Sequence, residues 1–254
     1  MLELRAVSKC FSGISAVDAV SFTVRPGEIT GYLGPNGSGK STTMKMITGL
    51  MEPTRGKILF EGSPIHDDLL AYKRRVGYVP EEPHLYSHLS ALEFLTMISQ
   101  LRELDPAAAA HKIDGLLQLL SLHGDRHSPI ANYSKGMRQK VLLAAALLHD
   151  PDLILLDEPF SGLDPGSALI IRSLIQELAA RGKTVLFSSH EMETVERVSE
   201  RVIILHRGKI VADDSIASLR AIMSLPTLEG IFSQLALEQD PAAVSRQIAD
   251  LIRN

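Results

Sequence analysis

The sequence predicts an α/β fold interrupted by a helical insertion. Three observations predict it. Short β-prone runs alternate with turns in the opening third, strand–helix alternation resumes at Leu153, and almost everything from Ser90 to Leu148 reads as helix. Taken in order, Leu2–Val7 and Phe22–Val24 are predicted strands, and Arg25-Pro-Gly27 is a turn leading into a strand over Glu28–Leu33. A glycine-rich loop follows, then a helix from about Lys40 to Thr48 that Gly49 stops. A turn at Glu52–Gly56 precedes a strand over Lys57–Phe60, and Val76–Val79 is the next strand. Within the insertion, Ser90 followed by Glu93 has capping-box spacing, and Asp105-Pro106 puts proline at a first helical position. Leu153–Leu156 is a continuous apolar run suited to a parallel strand buried on both faces. Helix Pro165–Ala180, strand Thr184–Ser188, helix Glu191–Val198 and strands Val202–Leu205 and Lys209–Ala212 complete the core. From Ser215 the chain reads as helical again. Val244, Ile248, Leu251 and Ile252 recur there at helical spacing and give the tail one apolar face.

Composition bounds the function. The chain has 254 residues, 45% hydrophobic and 22% charged, which is the balance of a globular protein that can bury a core. A net charge of −4 without a block of like charges argues against nucleic acid as a partner. Cys10 stands alone, which excludes an internal disulfide and fits a reducing compartment. Met1–Arg5 lacks the basic region and apolar run of a signal peptide, and the longest apolar stretch, Val141–Leu148, is too short to span a bilayer. Any membrane role is therefore expected to come through a partner.

Two motifs carry chemistry. Gly34, Pro35, Asn36, Gly37, Ser38, Gly39, Lys40 and Ser41 fill the pattern G-x-x-x-x-G-K-[ST], between a predicted strand and a predicted helix. Glycines there let backbone N–H groups turn inward around phosphate oxygens, and the helix start adds its partial positive charge. Lys40 supplies a cation for the β- and γ-phosphates, and the Ser41 hydroxyl is a Mg²⁺ ligand. The motif says nucleotide without saying which. The second motif is Asp157-Glu158, at the carboxyl end of the buried run, where open α/β sheets hold ligands. Asp157 is placed to hold Mg²⁺. Glu158, as a neighbouring strand residue, is expected to point to the other side and to take a proton from an attacking water.

The run Tyr133-Ser-Lys-Gly-Met-Arg-Gln139 resembles the signature of ATP-binding cassette (ABC) ATPases, usually Leu-Ser-Gly-Gly-Gln. Ser134 and Gly136 match, while Lys135 and Met137 depart from it in the manner of the drug- and antibiotic-exporter-like branch. Ser161-Gly-Leu-Asp164 resembles the family's D-loop, which crosses the dimer interface, and His190 stands where the family keeps a γ-phosphate-sensing histidine. Phe11 matches the aromatic that stacks on adenine, though a core phenylalanine reads equally well. Glu81 occupies a place where the family often has glutamine and implies a contact with Mg²⁺ or water. Thr227–Phe232 resembles a short C-terminal motif of the same branch, and the resemblance as a whole runs from Leu2 to Ala217.

This resemblance implies a P-loop NTPase core of ABC ATPase type, with an N-terminal antiparallel β part and an inserted α-helical subdomain. The cassette would occupy residues 1–217, with the helical part at about 87–148 and a C-terminal helical extension over 218–254. ATP and Mg²⁺ would contact the phosphate loop, Thr42, Glu81 and Asp157, with Ser134, Gly136 and Asp164 added across a cassette dimer. Partners would be an integral membrane permease and a second cassette, identical or different. The location would be cytoplasmic, on the inner face of the cell membrane, and the direction of transport export. Two other classes are weaker. Cassettes acting on ribosomes or DNA usually carry a second cassette, coiled coils or zinc sites, which this sequence lacks, and a module that binds without turnover would not need Lys40, Asp157, Glu158 and His190 together. Leu85 and Tyr86, in a proline-punctuated loop, are read either as permease anchors or as packing against the helix that starts at Ser90.

Overall fold

The structure is a computed structural model and describes residues 1–82, 84–225, 227–236 and Ser245. The hairpin β1 (Leu2–Phe11) and β2 (Ile14–Val24) opens the chain, and β3 (Ile29–Leu33) leads through the phosphate loop to α1 (Lys40–Ile47). Then come β4 (Arg55–Phe60), β5 (Ser63–Pro64), α2 (Leu69–Arg74) and β6 (Val76–Val79). The insertion holds α3 (Ala91–Leu101), α4 (Pro106–Leu119) and α5 (Lys135–Leu147). The remainder is β7 (Leu153–Asp157), α6 (Pro165–Ala180), β8 (Thr184–Ser189), α7 (Met192–Val198), β9 (Arg201–His206), β10 (Lys209–Ser215), α8 (Ile216–Met223) and α9 (Leu228–Ala236).

Two sheets organise these elements. An antiparallel sheet has the order β2-β1-β4-β5, and a six-stranded sheet has the order β10-β9-β3-β8-β7-β6. The second is parallel from β9 to β6, with β10 antiparallel at its edge. Its central strands β3, β7 and β8 are buried along their whole length because both faces are covered, whereas edge strand β10 is not. Along β7, Leu153 and Leu155 pack toward the antiparallel sheet and α1, while Ile154 and Leu156 pack toward the helical side. The same alternation splits Ile203 and Leu205 from Val202 and Ile204 on β9.

The insertion folds as its caps direct. Ser90 and Glu93 form a reciprocal capping box at α3, and Asp105 accepts from Ala108 N at the start of α4. Ser134 caps α5, its Oγ accepting from Met137 N at 3.2 Å. Two sequence readings change, and the expected helical stretch after Ser215 is present. β1 and β2 are longer than Leu2–Val7 and Phe22–Val24, because register shifts break their alternation. Helix α2 was not anticipated, since six residues are too few to show a period. The stretch after Ser215 becomes α8 and α9, which pack on each other and on α7 and β10, with Leu228, Ile231 and Phe232 buried. Val244, Ile248, Leu251 and Ile252, and Pro83 of the Leu85–Tyr86 loop, lie outside the described residues.

Candidate active site

The phosphate loop is shaped by two glycines that accept no side chain. A Cβ on Gly34 would stand 2.4 Å from Leu205 O and 2.6 Å from Ser38 Oγ. A Cβ on Gly39 would stand 2.5 Å from Ala16 O, and Gly39 has φ +108° at the start of α1. Strand β2 therefore lies directly against the loop, and the β9–β10 turn closes on it too, Gly208 N donating to Ser38 O at 2.9 Å. Lys40 is nearly buried, and its Nζ donates to Gly34 O at 2.7 Å and Pro35 O at 3.3 Å. Ser41 and Thr42 are half-buried in the first turn of α1, whereas Pro35, Asn36 and Gly37 are exposed.

Facing Lys40 are the two carboxylates. Asp157 is buried at the end of β7 and accepts a hydrogen bond from Ser188 Oγ on the neighbouring β8, its register partner. Glu158 is 5% exposed. It is not the alternating strand residue that the sequence suggested: its φ is +51°, a left-handed backbone beyond the strand end. For a residue with a Cβ that conformation is uncommon and strained, and such strain collects at functional positions. The Glu158 N–H donates to Ser188 Oγ at 3.1 Å. Ser188 thus holds both carboxylate-bearing residues. Sequence reasoning missed it, although its place at the end of a predicted strand beside His190 was a signal.

Glu158 Oε1 stands 3.7 Å from Lys40 Nζ and 2.9 Å from His190 Nδ1. Burial pushes the Glu158 carboxyl above the usual glutamate range, and the neighbouring His190 and Lys40 only partly pull it back. Glu81 adds to the upward push by its negative charge, which places this exposed residue near the site although it makes no direct bond there. Burial likewise raises the Tyr78 phenol, with Asp157 and Glu81 as charged neighbours. His190 is half-exposed, so its imidazole bridges the buried carboxylate and the surface.

The other predicted residues sit apart from this cluster. Phe11 is 44% exposed at the end of β1, with Lys9 Nζ 5.4 Å above its ring, so it is not a core residue. Ser134 is exposed and Gly136 half-exposed on the first turn of α5. Asp164 caps α6, accepting from Ser167 N at 2.9 Å and from Ser167 Oγ. Leu85 is half-buried against the helical core, and the exposed Tyr86 ring lies 6.4 Å from the Phe94 ring on α3, which favours the packing reading of that pair.

The residues present fit a magnesium nucleotide. A glycine-lined loop at a helix start, a buried ammonium and hard oxygen donors from Ser41 and Asp157 suit phosphates and a small divalent cation that shares their oxygens.

A sequence profile described as ABC transporter matches residues 17–161. The chain belongs to the ABC transporter ATPase family. Its relatives include an uncharacterised ABC transporter ATP-binding protein of Nostoc sp., 41% identical over 208 residues, which make up 81% of this chain and 62% of that protein. The Nod factor export ATP-binding protein I of Paraburkholderia xenovorans is 33% identical over 251 residues, covering 99% of this chain and 81% of that one. Among solved structures, an ATP-binding subunit of an ABC transporter superposes with TM-score 0.87 at 35% identity, over 92% of this cassette and 99% of that chain. A dimeric cassette in a post-hydrolysis state with ADP and Pi matches with TM-score 0.78 at 27% identity, over 85% and 99%. The cassette fold and the family's ATPase character are those expected from the sequence. No helix among the described residues is long and apolar enough to cross a membrane.

Proposed function

We propose that this cassette hydrolyses ATP through Glu158 and drives export through a separate membrane permease. The observation that carries the chemistry is the buried Glu158 carboxylate, held 2.9 Å from His190 Nδ1 and 3.7 Å from Lys40 Nζ. Lys40 and the loop N–H groups bind the β- and γ-phosphates, and Lys40 leaves its carbonyl partners to do so. Glu158 orients the attacking water and takes its proton, and the left-handed backbone turns its carboxylate toward that water. His190 holds the carboxylate and senses the γ-phosphate beside it. Ser41 and Asp157, with Glu81 nearby, would hold Mg²⁺, which would supply positive charge to the phosphate oxygens. Phe11 offers an exposed ring for adenine at the end of β1.

Two cassettes face each other in this reading, with Ser134, Gly136 and the start of α5 donating to the partner's γ-phosphate, since buried phosphate charge needs donors on every side. The dimeric cassette with ADP and Pi supports the pairing, and the Nod factor export relative supports the direction. The cassette would span residues 1–217, with the helical insertion at 87–148, 218–254 as its extension, and a place on the cytoplasmic face of the membrane. The permease contact is a groove of ≈ 560 Å³ between α2, α3 and α5, lined by Leu50, Leu70, Phe94, Ile98 and Leu101 and edged by Lys73, Arg74 and Arg102. It shares only Phe94, Ile98 and Leu101 with the expected Glu81–Leu101 surface, and neither Leu85 nor Tyr86 lines it. A short amphipathic helix fits such a groove.

Phosphate release by the purified protein with Mg²⁺ and ATP tests the chemistry: Lys40→Ala should weaken nucleotide binding and turnover together, and a wild-type protein without turnover would refute it. For the groove, Leu70→Ser with Leu101→Ser should leave basal turnover intact and abolish co-purification with the permease. Both leucines are highly exposed, so folding should survive the change.

A further inference from the structure

We infer that Lys135 is a positioning residue that ties the start of the signature helix α5 to the loop after Glu158, and so links the two nucleotide sites that one cassette serves. The inference rests on the ATPase reading above. Lys135 Nζ donates to Ser161 Oγ at 3.0 Å. The contact is built along the whole side chain: Gly162 has φ +74°, and a Cβ there would stand 2.8 Å from Lys135 Cδ. One residue on, a Cβ at Gly136 would stand 3.3 Å from Gly162 O, so the helix start and the loop touch through backbone as well. Ser161 N in turn donates to Glu158 O at 3.1 Å. Two hydrogen bonds therefore run from the Lys135 ammonium to the backbone of the catalytic carboxylate.

The usual signature has glycine where this chain has Lys135, and glycine cannot reach Ser161. The lysine replaces a gap with a strut. Its consequence follows from which site each end serves. The first turn of α5, with Ser134 as its cap, presents N–H groups to a nucleotide held by the opposite cassette, whereas Glu158 acts on the nucleotide held by its own phosphate loop. When α5 closes on the partner's γ-phosphate, Lys135 carries that movement to Ser161. Glu158 sits beside Ser161 in a left-handed backbone that offers little slack, so its carboxylate is set in the same step. Lys135 acts through Ser161 and touches no reacting atom.

Steady-state hydrolysis by the full chain tests this with a double-mutant cycle of Lys135→Met and Ser161→Ala, plus Lys135→Arg. An exposed charged contact predicts a roughly two- to fivefold loss of kcat for each single change. The double change should lose no more than either single, KM for ATP should stay within about twofold, and Lys135→Arg should restore the wild-type rate. Additive losses, or a wild-type rate in Lys135→Met, would overturn the strut. A raised KM with unchanged kcat would overturn it too, because Lys135 would then be a direct phosphate ligand. These outcomes are read in a wild-type protein that turns over. If the wild type itself shows no turnover, the ATPase reading fails and the inference falls with it.

Discussion

Glu158→Gln separates catalysis from folding, and the structure gives a direction for each. The substitution keeps shape and removes one charge. Lys40 does not lose its partners, because its Nζ still donates to Gly34 O at 2.7 Å and Pro35 O at 3.3 Å. Removal of a general base costs ~10²–10⁴ in rate, or ~3–5 kcal/mol of barrier. Phosphate release should fall by that factor while ATP still binds. Stability should move the other way. A carboxyl whose pKa rises on folding holds its proton more tightly in the folded state, so its ionisation costs stability at every pH above the raised value. Each tenfold gain in proton affinity on folding corresponds to a cost of about 1.4 kcal/mol. That cost vanishes as pH falls through the raised value toward the ordinary 4.5. The variant should therefore melt at or above the wild-type temperature near pH 7.5, and the difference should close near pH 4.5. Thermal unfolding at several pH values, beside phosphate release at saturating ATP, measures both. Near-normal turnover would remove Glu158 as the base. A variant melting well below wild type at pH 7.5 would refute the account of a buried charge held at a cost.

The same raised carboxyl sets a pH profile: kcat/KM, which reports the free enzyme, should lose activity on the acid side at a higher pH than an ordinary glutamate would, and Glu158→Gln should abolish that limb. Ser134→Ala should cost ~1 kcal/mol through the lost cap of α5, a fall of ~2–4 °C in Tm, and should lower turnover further than that instability explains. Ser134→Thr, which keeps an Oγ acceptor, should hold stability, and equal stability loss in both variants by thermal unfolding would refute the capping account.

Elements with an unbroken period were legible in the sequence, and those with a deliberate break were not. Helix Pro165–Ala180 and strand Val76–Val79 fall where their patterns place them. The hairpin β1–β2 read too short because Ala6 and Ala19 adopt φ of +47° and +50°, which breaks the period of two. The two irregularities are stitched to each other across the strands: Ala6 N donates to Ser21 Oγ and Ala19 N to Ser8 Oγ, each at 2.8 Å. Nothing in the identity of Ala6 or Ala19 signals that geometry. Helix α2 depends on Asp68, whose side chain accepts from Ala71 N at 3.0 Å, and a cap before six residues gives too little pattern to read. Glu158 is the same lesson at the site. Its residue type was legible and its backbone was not, because a left-handed glutamate is imposed by its surroundings rather than by its own preference.

The spatial order of the site was hidden for a different reason. Along the chain the groups come as phosphate loop, Glu81, Asp157-Glu158, His190. In the sheet the strands that carry them run β3, β8, β7, β6. All four are parallel, so their carboxyl ends lie along one edge and every loop that leaves that edge opens on the same side. The insertion of β8 between β3 and β7 then decides the chemistry. It brings His190, just past the end of β8, beside Glu158, where its Nδ1 reaches the carboxylate, and it sets Ser188 in register with Asp157. Glu81, at the end of the outermost strand, is left where it acts on Glu158 by charge alone. Local patterns name the residues a site can use. Which of them touch follows from strand order, which is settled by long-range pairing that no local pattern records.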